Sequence, residues 1–236
     1  MKSVSDTSGK YIDFRMRGKD VAIDATLRAA ASRGLKRPSR QDLRYKAYVG
    51  KVASSIALVV DASGSMASLR RMEVAKGVLL KLLQDAYIKK DGISLIIFKD
   101  KKAEVVVPPT SSPQYALKRL VDMTTGGKTP LSAGLLKGFE TLKYEKRKNR
   151  IPILVLITDG RANVSIGGDV KKEILKISEK IAKEGILTVV FDADDYISLG
   201  FTKEICEITK GLYYRLKDMD TEKISDVVNG IRSIPS

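Results

Sequence analysis

The 236-residue chain contains no histidine, no tryptophan and a single cysteine, Cys206. Zinc sites are built mainly from cysteine and histidine, so this composition excludes an ordinary zinc site. One cysteine cannot form an internal disulfide, which favours a reducing compartment. Histidine is also the most common general acid or base, and no other matched base is evident, so we expect the chain to be non-catalytic by itself.

Long hydrophobic runs are lacking as well. No stretch of about 18 apolar residues occurs, so no transmembrane helix is predicted. Residues 1–6 lack the apolar core of a secretory signal. We therefore expect a cytoplasmic protein with no membrane partner. Apolar residues still make up 43% of the chain, which is enough for a sizeable core.

Acidic residues are outnumbered, because 43 Lys and Arg against 28 Asp and Glu give a net charge of +15. Residues 1–51 alone hold 13 Lys and Arg against 5 Asp, a net of +8. Such a segment can bind nucleic acid, an anionic membrane surface or an acidic protein patch, or it can be a solvated face without a partner. No stacking aromatics or nucleic-acid motif accompany the charge, which weighs against nucleic acid.

The first part of the chain, residues 1–50, is interpreted as a basic N-terminal extension. Residues 1–9 are polar, and we expect them to be disordered. A short strand is predicted at 11–15 and a helix at 20–31. The basic stretch 36–51 is interpreted as a linker or docking segment.

Residues 51–236 alternate between apolar runs and amphipathic segments. This pattern predicts one α/β domain with a doubly wound, mostly parallel sheet and helices on both faces. The predicted strands are 56–60, 91–98, 103–107, 151–157, 186–191 and 212–216. The predicted helices are 69–88, 112–123, 131–146, 169–183, 201–209 and 221–231. Strand 103–107 follows a tight turn and ends at Pro108 and Pro109, so we expect it to be an antiparallel edge strand.

Oxygen-bearing side chains occur at three places beside these elements. Asp61, Ser63 and Ser65 follow the first strand of the domain, Thr129 follows two glycines, and Asp159 follows the fourth strand. Ligands bind open α/β sheets at the carboxyl ends of their strands. Carboxylate and hydroxyl oxygens suit hard cations, so the sequence predicts a site for Mg²⁺, with Mn²⁺ as the alternative ion.

Each of these five side chains has an expected role in holding the ion. Ser63, Ser65 and Thr129 offer neutral hydroxyl ligands, Asp61 orients hydroxyls and waters, and Asp159 is a second anchoring carboxylate. Few protein charges touch the ion, so it stays electrophilic toward a carboxylate from outside. The alternative is that the serines cap the following helix and Asp159 caps a turn. Capping does not explain why three separated loops each carry an oxygen donor.

Two other motifs are weaker. Gly127-Lys128-Thr129 is not part of a complete phosphate loop, because Asp122 stands where that loop needs a glycine, and this weighs against a nucleotide site. Residues 192–195 are acidic and follow a predicted strand, so a second cation site is one interpretation of them. We expect instead a solvated loop.

The order Asp-x-Ser-x-Ser, Thr, Asp resembles the metal-ion-dependent adhesion site of von Willebrand factor A (integrin I-like) domains. Longer strings resemble a narrower group, the C-terminal integrin I-like region of the D-type component of magnesium chelatase. These strings lie at 24–31, 59–66, 83–87, 108–112 and 125–131. The resemblance covers roughly residues 10–236.

This resemblance implies a Rossmann-like von Willebrand factor A domain at 51–236 that docks partner subunits. The implied partners are an AAA+ ATPase subunit and a large porphyrin-binding subunit, which together insert a metal into a tetrapyrrole and hydrolyse ATP to do so. An acidic side chain of a partner would complete the Mg²⁺ shell. Two alternatives stay open: an A-domain scaffold for another AAA+ system, such as a cobalt chelatase, and a nucleic-acid-binding protein that uses residues 1–51.

Overall fold

The computed structural model describes most of the chain. The described residues are 2–5, 10–51, 53–67, 69–112, 115–116, 118–119, 125–194, 200–219, 223 and 227. The chain divides into two compact units, residues 1–52 and residues 53–236. Among the described residues, no helix is both long and apolar enough to cross a membrane.

The N-terminal unit is a three-stranded antiparallel sheet with one helix. The strands are β1 (Lys2–Ser5), β2 (Lys10–Arg15) and β3 (Tyr45–Lys51), and β3 lies between the other two. Helix α1 (Ile23–Ser32) lies between β2 and β3 in the sequence, and its buried residues are Ala25, Thr26 and Ala30.

The expectation of disorder at 1–9 is wrong for residues 2–5, which form β1, and the linker interpretation of 36–51 is wrong for residues 45–51, which form β3. The alternative interpretation of 36–51 as a docking segment stays a prediction. Both strands depend on partners distant in sequence, since Lys2 lies opposite Lys51 and Val4 opposite Val49. The polar composition of the first residues gives no local signal of this pairing.

A buried carboxylate organises the turn between α1 and β3. Asp42 Oδ2 accepts hydrogen bonds from the Ser39 backbone N–H at 2.8 Å and the Ser39 hydroxyl at 2.6 Å. Its Oδ1 accepts a hydrogen bond from the Arg33 guanidinium at 2.8 Å. These contacts, the Ser39 hydroxyl first, lower the pKa of Asp42 to about 2. The ionised carboxylate therefore stabilises this turn.

We expect Asp42→Asn to lower the melting temperature of the full chain at neutral pH. The folded pKa of Asp42 lies below its ordinary value of 3.8, so its stabilisation is complete above that value and is lost as pH falls toward 2. The difference from wild type, measured by circular dichroism melting, should shrink over that interval. Asp24→Asn is the control for an exposed carboxylate: it removes the exposed pair with Arg28 and a backbone hydrogen bond at the start of α1, so its effect on the melting temperature should be smaller. A constant difference at all pH values would contradict the assignment.

The second unit contains a six-stranded sheet in the order β6-β5-β4-β7-β8-β9. Its strands are β4 (Ser54–Asp61), β5 (Gly92–Lys99), β6 (Lys102–Thr110), β7 (Ile151–Thr158), β8 (Leu187–Asp192) and β9 (Leu212–Arg215). All neighbours are parallel except β5 and β6, which are antiparallel. The predicted α/β fold class, with its antiparallel edge strand, is confirmed.

The helices of this unit are α2 (Leu69–Lys89), α3 (Leu131–Lys146), α4 (Val170–Lys183) and α5 (Thr202–Thr209). Residues 115–116 and 118–119 are also helical. Residue 112, where the helix predicted at 112–123 begins, is described and is not helical, and the remaining residues of that predicted helix lie outside the described residues, as does nearly all of the helix predicted at 221–231.

Strand β4 supplies both layers of the core. Ile56, Leu58 and Val60 belong to one buried cluster, which includes residues of α2, whereas Ala57 and Val59 belong to a second, which includes residues of α3 and α4. Successive side chains of a strand point to opposite faces, so a strand covered on both faces must be apolar throughout. The sheet therefore places the carboxyl ends of its central strands at one fixed edge.

Candidate functional site

The site lies where β4 and β7 end. These neighbouring strands are parallel, with Val60 opposite Ile157. Asp61 is the last residue of β4, and Asp159 follows Thr158, the last residue of β7. Three segments meet here, which we call the Asp61 loop (residues 61–67), the Thr129 loop (125–130) and the Asp159 loop (159–169).

Two backbone hydrogen bonds join the Asp61 loop to the Thr129 loop. The Gly64 N–H donates to the Gly127 carbonyl at 3.0 Å, and the Gly126 N–H donates to the Ala62 carbonyl at 2.8 Å. Gly127 has a φ of +79°, a conformation that favours glycine. The two glycine-containing loops therefore approach each other backbone to backbone.

A side-chain hydrogen bond joins the ends of the two strands. The Thr158 hydroxyl donates to Asp61 Oδ2 at 2.7 Å, and the Ser63 N–H donates to Asp61 Oδ1 at 2.8 Å. Asp61 is fully buried, and burial raises its pKa to about 6, with the charge of Asp159 acting in the same direction. Hydrogen bonds from Ser63 and Thr158 oppose this rise. An ionised Asp61 is thus costly here unless a positive charge compensates it.

Asn163 joins the Thr129 loop to the Asp159 loop. The Thr129 N–H donates to Asn163 Oδ1 at 2.8 Å, and the Asn163 N–H donates to the Thr129 carbonyl at 3.2 Å. The Asp159 loop is itself fixed by Glu173, whose carboxylate accepts the backbone N–H groups of residues 166–168. Each of the three loops is therefore hydrogen-bonded to the other two, directly or through Thr158.

The structure brings together four of the five predicted residues. Asp61, Ser63, Thr129 and Asp159 are buried in these loops. Ser65 lies in the short 3₁₀ turn Gly64–Ala67, and its side chain is outside the described part of the structure.

The capping alternative accounts for part of this arrangement. Asp159 Oδ1 does cap a turn, since it accepts the Arg161 N–H at 3.1 Å. Ser63 directly precedes the 3₁₀ turn Gly64–Ala67, and its carbonyl accepts the Met66 N–H at 3.1 Å, whereas α2 begins six residues after it, at Leu69. The Ser63 side chain is hydrogen-bonded to Asp61.

Three strand ends carry the same aspartate turn. Asp61, Asp159 and Asp192 are each buried, and the Oδ1 of each accepts the N–H of the residue two positions later. The three aspartates differ in the partners of their second carboxylate oxygen, Oδ2. Asp192 Oδ2 accepts hydrogen bonds from the hydroxyls of Thr202 at 2.6 Å and Tyr213 at 2.7 Å. Asp159 Oδ2 has no hydrogen-bond donor among the described residues.

The expectation of a solvated loop at 192–195 is therefore wrong for its described residues. Asp192 is 1% exposed and Asp194 6% exposed, while residue 195 lies outside the described part. The donors that satisfy Asp192 come from α5 and β9, so the acidic run alone could not reveal them. Both oxygens of Asp192 are used in holding the protein together.

Sequence reasoning also missed Thr158 and Asn163. Thr158 directly precedes a predicted site residue, so its hydroxyl at the end of a strand was a usable signal. Asn163 carries no such signal, because its partner Thr129 is 34 residues away in sequence. Both residues position donors of the site rather than supply a carboxylate.

The donor set fits a hard divalent cation. No group of three His, Cys, Asp or Glu side chains suited to a metal occurs among the residues described. A site of two carboxylates and several hydroxyls does not require such a group. The unsatisfied Asp159 Oδ2 is a buried oxygen without a donor, and a buried anionic oxygen of this kind is strongly favoured to meet a cation.

Two family models match the chain. The model described as von Willebrand factor type A domain matches residues 56–161, and the model described as AAPxQ domain matches residues 8–48. The first match contains Asp61, Ser63, Ser65, Thr129 and Asp159.

Curated relatives cover most of the chain. An uncharacterised protein of Methanocaldococcus jannaschii is 39% identical over 170 residues, covering 70% of this chain and 98% of that protein. The magnesium-chelatase 67 kDa subunit of Heliobacterium mobile is 35% identical and covers 91% of this chain. The magnesium-chelatase 60 kDa subunit of Cereibacter sphaeroides is 31% identical and covers 82%. The chain spans only 35% of the length of each chelatase subunit.

Solved structures share the fold. The SpRpn10 VWA domain superposes with a TM-score of 0.59 at 14% identity, covering 79% of this chain and 100% of that one. A von Willebrand factor type A protein from Catenulispora acidiphila gives a TM-score of 0.60 at 12% identity, covering 79% of this chain and 43% of that one. At these identities the likeness concerns the fold alone.

We expect Asp159→Asn to separate stability from ion binding. The substitution removes a buried charge whose Oδ2 has no donor, so the melting temperature in EDTA should stay the same or rise. The increase in melting temperature that we expect Mg²⁺ to produce in wild type should be lost in this variant. Differential scanning fluorimetry with EDTA or millimolar MgCl₂ measures both effects.

Asp169→Asn is the matched control for this test. Asp169 caps α4 through the Lys172 N–H, and asparagine caps helices equally well. Neither the melting temperature in EDTA nor its increase with Mg²⁺ should therefore change. An intact response of Asp159→Asn to Mg²⁺ would show that Asp159 does not hold the ion. A clear loss of stability in EDTA would show that its carboxylate stabilises the fold without the ion.

Proposed function

Because the chain belongs to the von Willebrand factor type A family and is homologous to magnesium-chelatase 60 and 67 kDa subunits, we propose that it is a Mg²⁺-dependent docking module of a metal chelatase. It is non-catalytic by itself. Its partners are an AAA+ ATPase subunit and a large porphyrin-binding subunit. The assembly works in the cytoplasm and uses ATP to insert a metal into a tetrapyrrole.

The residues of the three loops have distinct parts in this proposal. Ser63, Ser65 and Thr129 hold the ion through hydroxyls, and Asp159 contributes its free carboxylate oxygen. Asp61, whose two oxygens accept hydrogen bonds from Ser63 and Thr158, orients the site. When bound, Mg²⁺ or Mn²⁺ supplies an electrophilic position for a carboxylate of the partner. This ion serves docking and is separate from the metal delivered to the tetrapyrrole.

One observation carries the proposal most directly. Asp159 Oδ2 is buried and has no hydrogen-bond donor among the described residues, whereas the equivalent oxygens of Asp61 and Asp192 are satisfied. A buried carboxylate oxygen that accepts no hydrogen bond is destabilising; Arg161 Nε, at 3.7 Å, offsets its charge without hydrogen-bonding it, and a bound cation would remove the remaining cost. This oxygen lies on the same loops as the hydroxyls that resemble an adhesion site.

A second candidate is an A-domain scaffold for a different AAA+ system, such as a cobalt chelatase. The observation that bears on it is the length of the Methanocaldococcus jannaschii relative, because this chain covers 98% of that protein but only 35% of a chelatase subunit. The region therefore also occurs without the remaining two thirds of the chelatase subunits. The metal site would work in the same way in both cases, and only the partner would differ.

Thr129 offers a matched pair of variants for the ion site. Thr129→Val keeps the side-chain shape and the backbone hydrogen bonds to Asn163 but removes the hydroxyl, so Mg²⁺ affinity should fall by about tenfold or more. Thr129→Ser keeps the hydroxyl, and its affinity should stay within about threefold of wild type. Isothermal titration calorimetry with MgCl₂ measures both. Equal affinities of the two variants would exclude the Thr129 hydroxyl as a ligand.

Asp61→Ala tests the docking role. The variant should keep its fold by circular dichroism but lose binding to the partner, because the hydroxyls of the site are no longer oriented. Purified AAA+ ATPase and porphyrin-binding chelatase subunits, compared with unrelated AAA+ ATPases, should be retained by the wild-type chain in Mg²⁺ and released in EDTA. Retention by a folded Asp61→Ala variant, equal to wild type, would count against the proposal. Retention of another AAA+ ATPase alone would favour the second candidate.

A further inference from the structure

Arg161 is an exposed cation beside the buried Asp159. The Arg161 side chain is 60% exposed, the Asp159 side chain is 0% exposed, and Arg161 Nε lies 3.7 Å from Asp159 Oδ2. This distance is too long for a hydrogen bond. The guanidinium therefore compensates the charge of Asp159 without satisfying its oxygen.

The donors of Arg161 remain largely unused. A guanidinium presents five N–H groups in a planar fork that matches a carboxylate. Among the described residues, the Arg161 side chain donates no hydrogen bond; the group of Arg161 that is hydrogen-bonded to Asp159 is the backbone N–H, at 3.1 Å. Glu145, another buried carboxylate, instead accepts a 2.7 Å hydrogen bond from Lys148. The ion pair of Arg161 with Asp159 thus lacks the short hydrogen bond of the Lys148–Glu145 pair.

The rim of the site is suited to an acidic partner with some apolar surface. Lys128, in the Thr129 loop, is exposed, and Ile166, in the Asp159 loop, is 51% exposed. Acidic side chains border the rim as well: Asp100 lies beside Gly127, and the Glu173 carboxylate is hydrogen-bonded to the Ile166 N–H. The rim as a whole is therefore of mixed charge, and a partner carboxylate would be matched to the position of Arg161 itself.

We propose that Arg161 recognises a second carboxylate of the partner, so that the docking segment is a diacidic peptide. This inference rests on the proposed function: one acid completes the shell of the ion, and the other pairs with the Arg161 fork. Without the ion, Arg161 is the counter-charge of Asp159. If a divalent cation compensated the charge of Asp159 instead, the Arg161 guanidinium would be available to pair with a carboxylate of the partner.

The two roles of Arg161 predict effects of opposite sign. A nearby positive charge opposes binding of a cation, so Arg161→Ala should leave the Mg²⁺ affinity unchanged or raise it. The same variant should weaken recognition of a diacidic ligand. If Arg161 only supported the loop, Arg161→Ala would weaken both the Mg²⁺ affinity and the binding of the diacidic ligand.

Two fluorescein-labelled peptides test the inference by fluorescence anisotropy in saturating MgCl₂. One, Gly-Leu-Asp-Gly-Gly with an amidated C terminus, has a single side-chain carboxylate, and the other, Gly-Leu-Asp-Gly-Glu with the same amide, has two. Wild type should prefer the diacidic peptide by about two- to fivefold, the range for an exposed ion pair. Arg161→Ala should bind both peptides equally, and Arg161→Lys should keep part of the preference, since it retains charge but not the fork.

Arg147→Ala is the matched control for lost charge. Arg147 is exposed and follows α3 at the end of the helix remote from Thr129, so this variant should behave like wild type. Isothermal titration calorimetry with MgCl₂ alone, on wild type and Arg161→Ala, completes the experiment. An undiminished preference in Arg161→Ala, or a fall in its Mg²⁺ affinity, would overturn the inference.

The outcomes separate this inference from the proposed function. If wild type binds neither Mg²⁺ nor either peptide in its presence, the docking function itself fails. If wild type binds both peptides equally, and only in Mg²⁺, the ion site stands and the role of Arg161 is rejected.

Discussion

The hydrogen bond from the Thr158 hydroxyl to Asp61 Oδ2 is the contact on which the rest of the site depends. It connects the ends of two adjacent strands and, together with Ser63, opposes the rise in the pKa of Asp61 that burial causes. The remaining loop contacts build on this junction. Gly64 and Gly126 attach the Thr129 loop to one side of it, and Asn163 attaches that loop to the other. The site is thus a closed arrangement in which each loop restrains the others.

Three aspartates with the same local turn show how structure and function diverge at one sheet edge. Asp61, Asp159 and Asp192 each use Oδ1 to order the chain that follows. The second oxygen decides what else the residue does. Where hydroxyls of neighbouring elements reach it, the carboxylate stabilises the fold. Where none does, as at Asp159, the protein retains an anionic acceptor beside an exposed arginine.

The sequence predicts most of the second unit because its signals are local. Apolar runs such as that of β4 mark buried strands, and the oxygen donors at their ends follow from the topology of a parallel sheet. The features that the sequence did not predict share one physical cause, because each depends on contacts with residues that are distant in the sequence. Strand β1 is polar and exists through β3, Asp192 is buried by donors from α5 and β9, and Asn163 reaches Thr129 across 34 residues. No periodicity along the chain records such contacts.

The mutual hydrogen bonding of the three loops also has a kinetic consequence. Side chains that are already restrained do not have to be ordered when an ion arrives, so little conformational entropy is lost at that step. Magnesium, in contrast, releases its hydration waters reluctantly. For this ion the speed of loading would be governed by water exchange in its own shell, and a faster-exchanging cation of similar size would load the same rigid loops sooner.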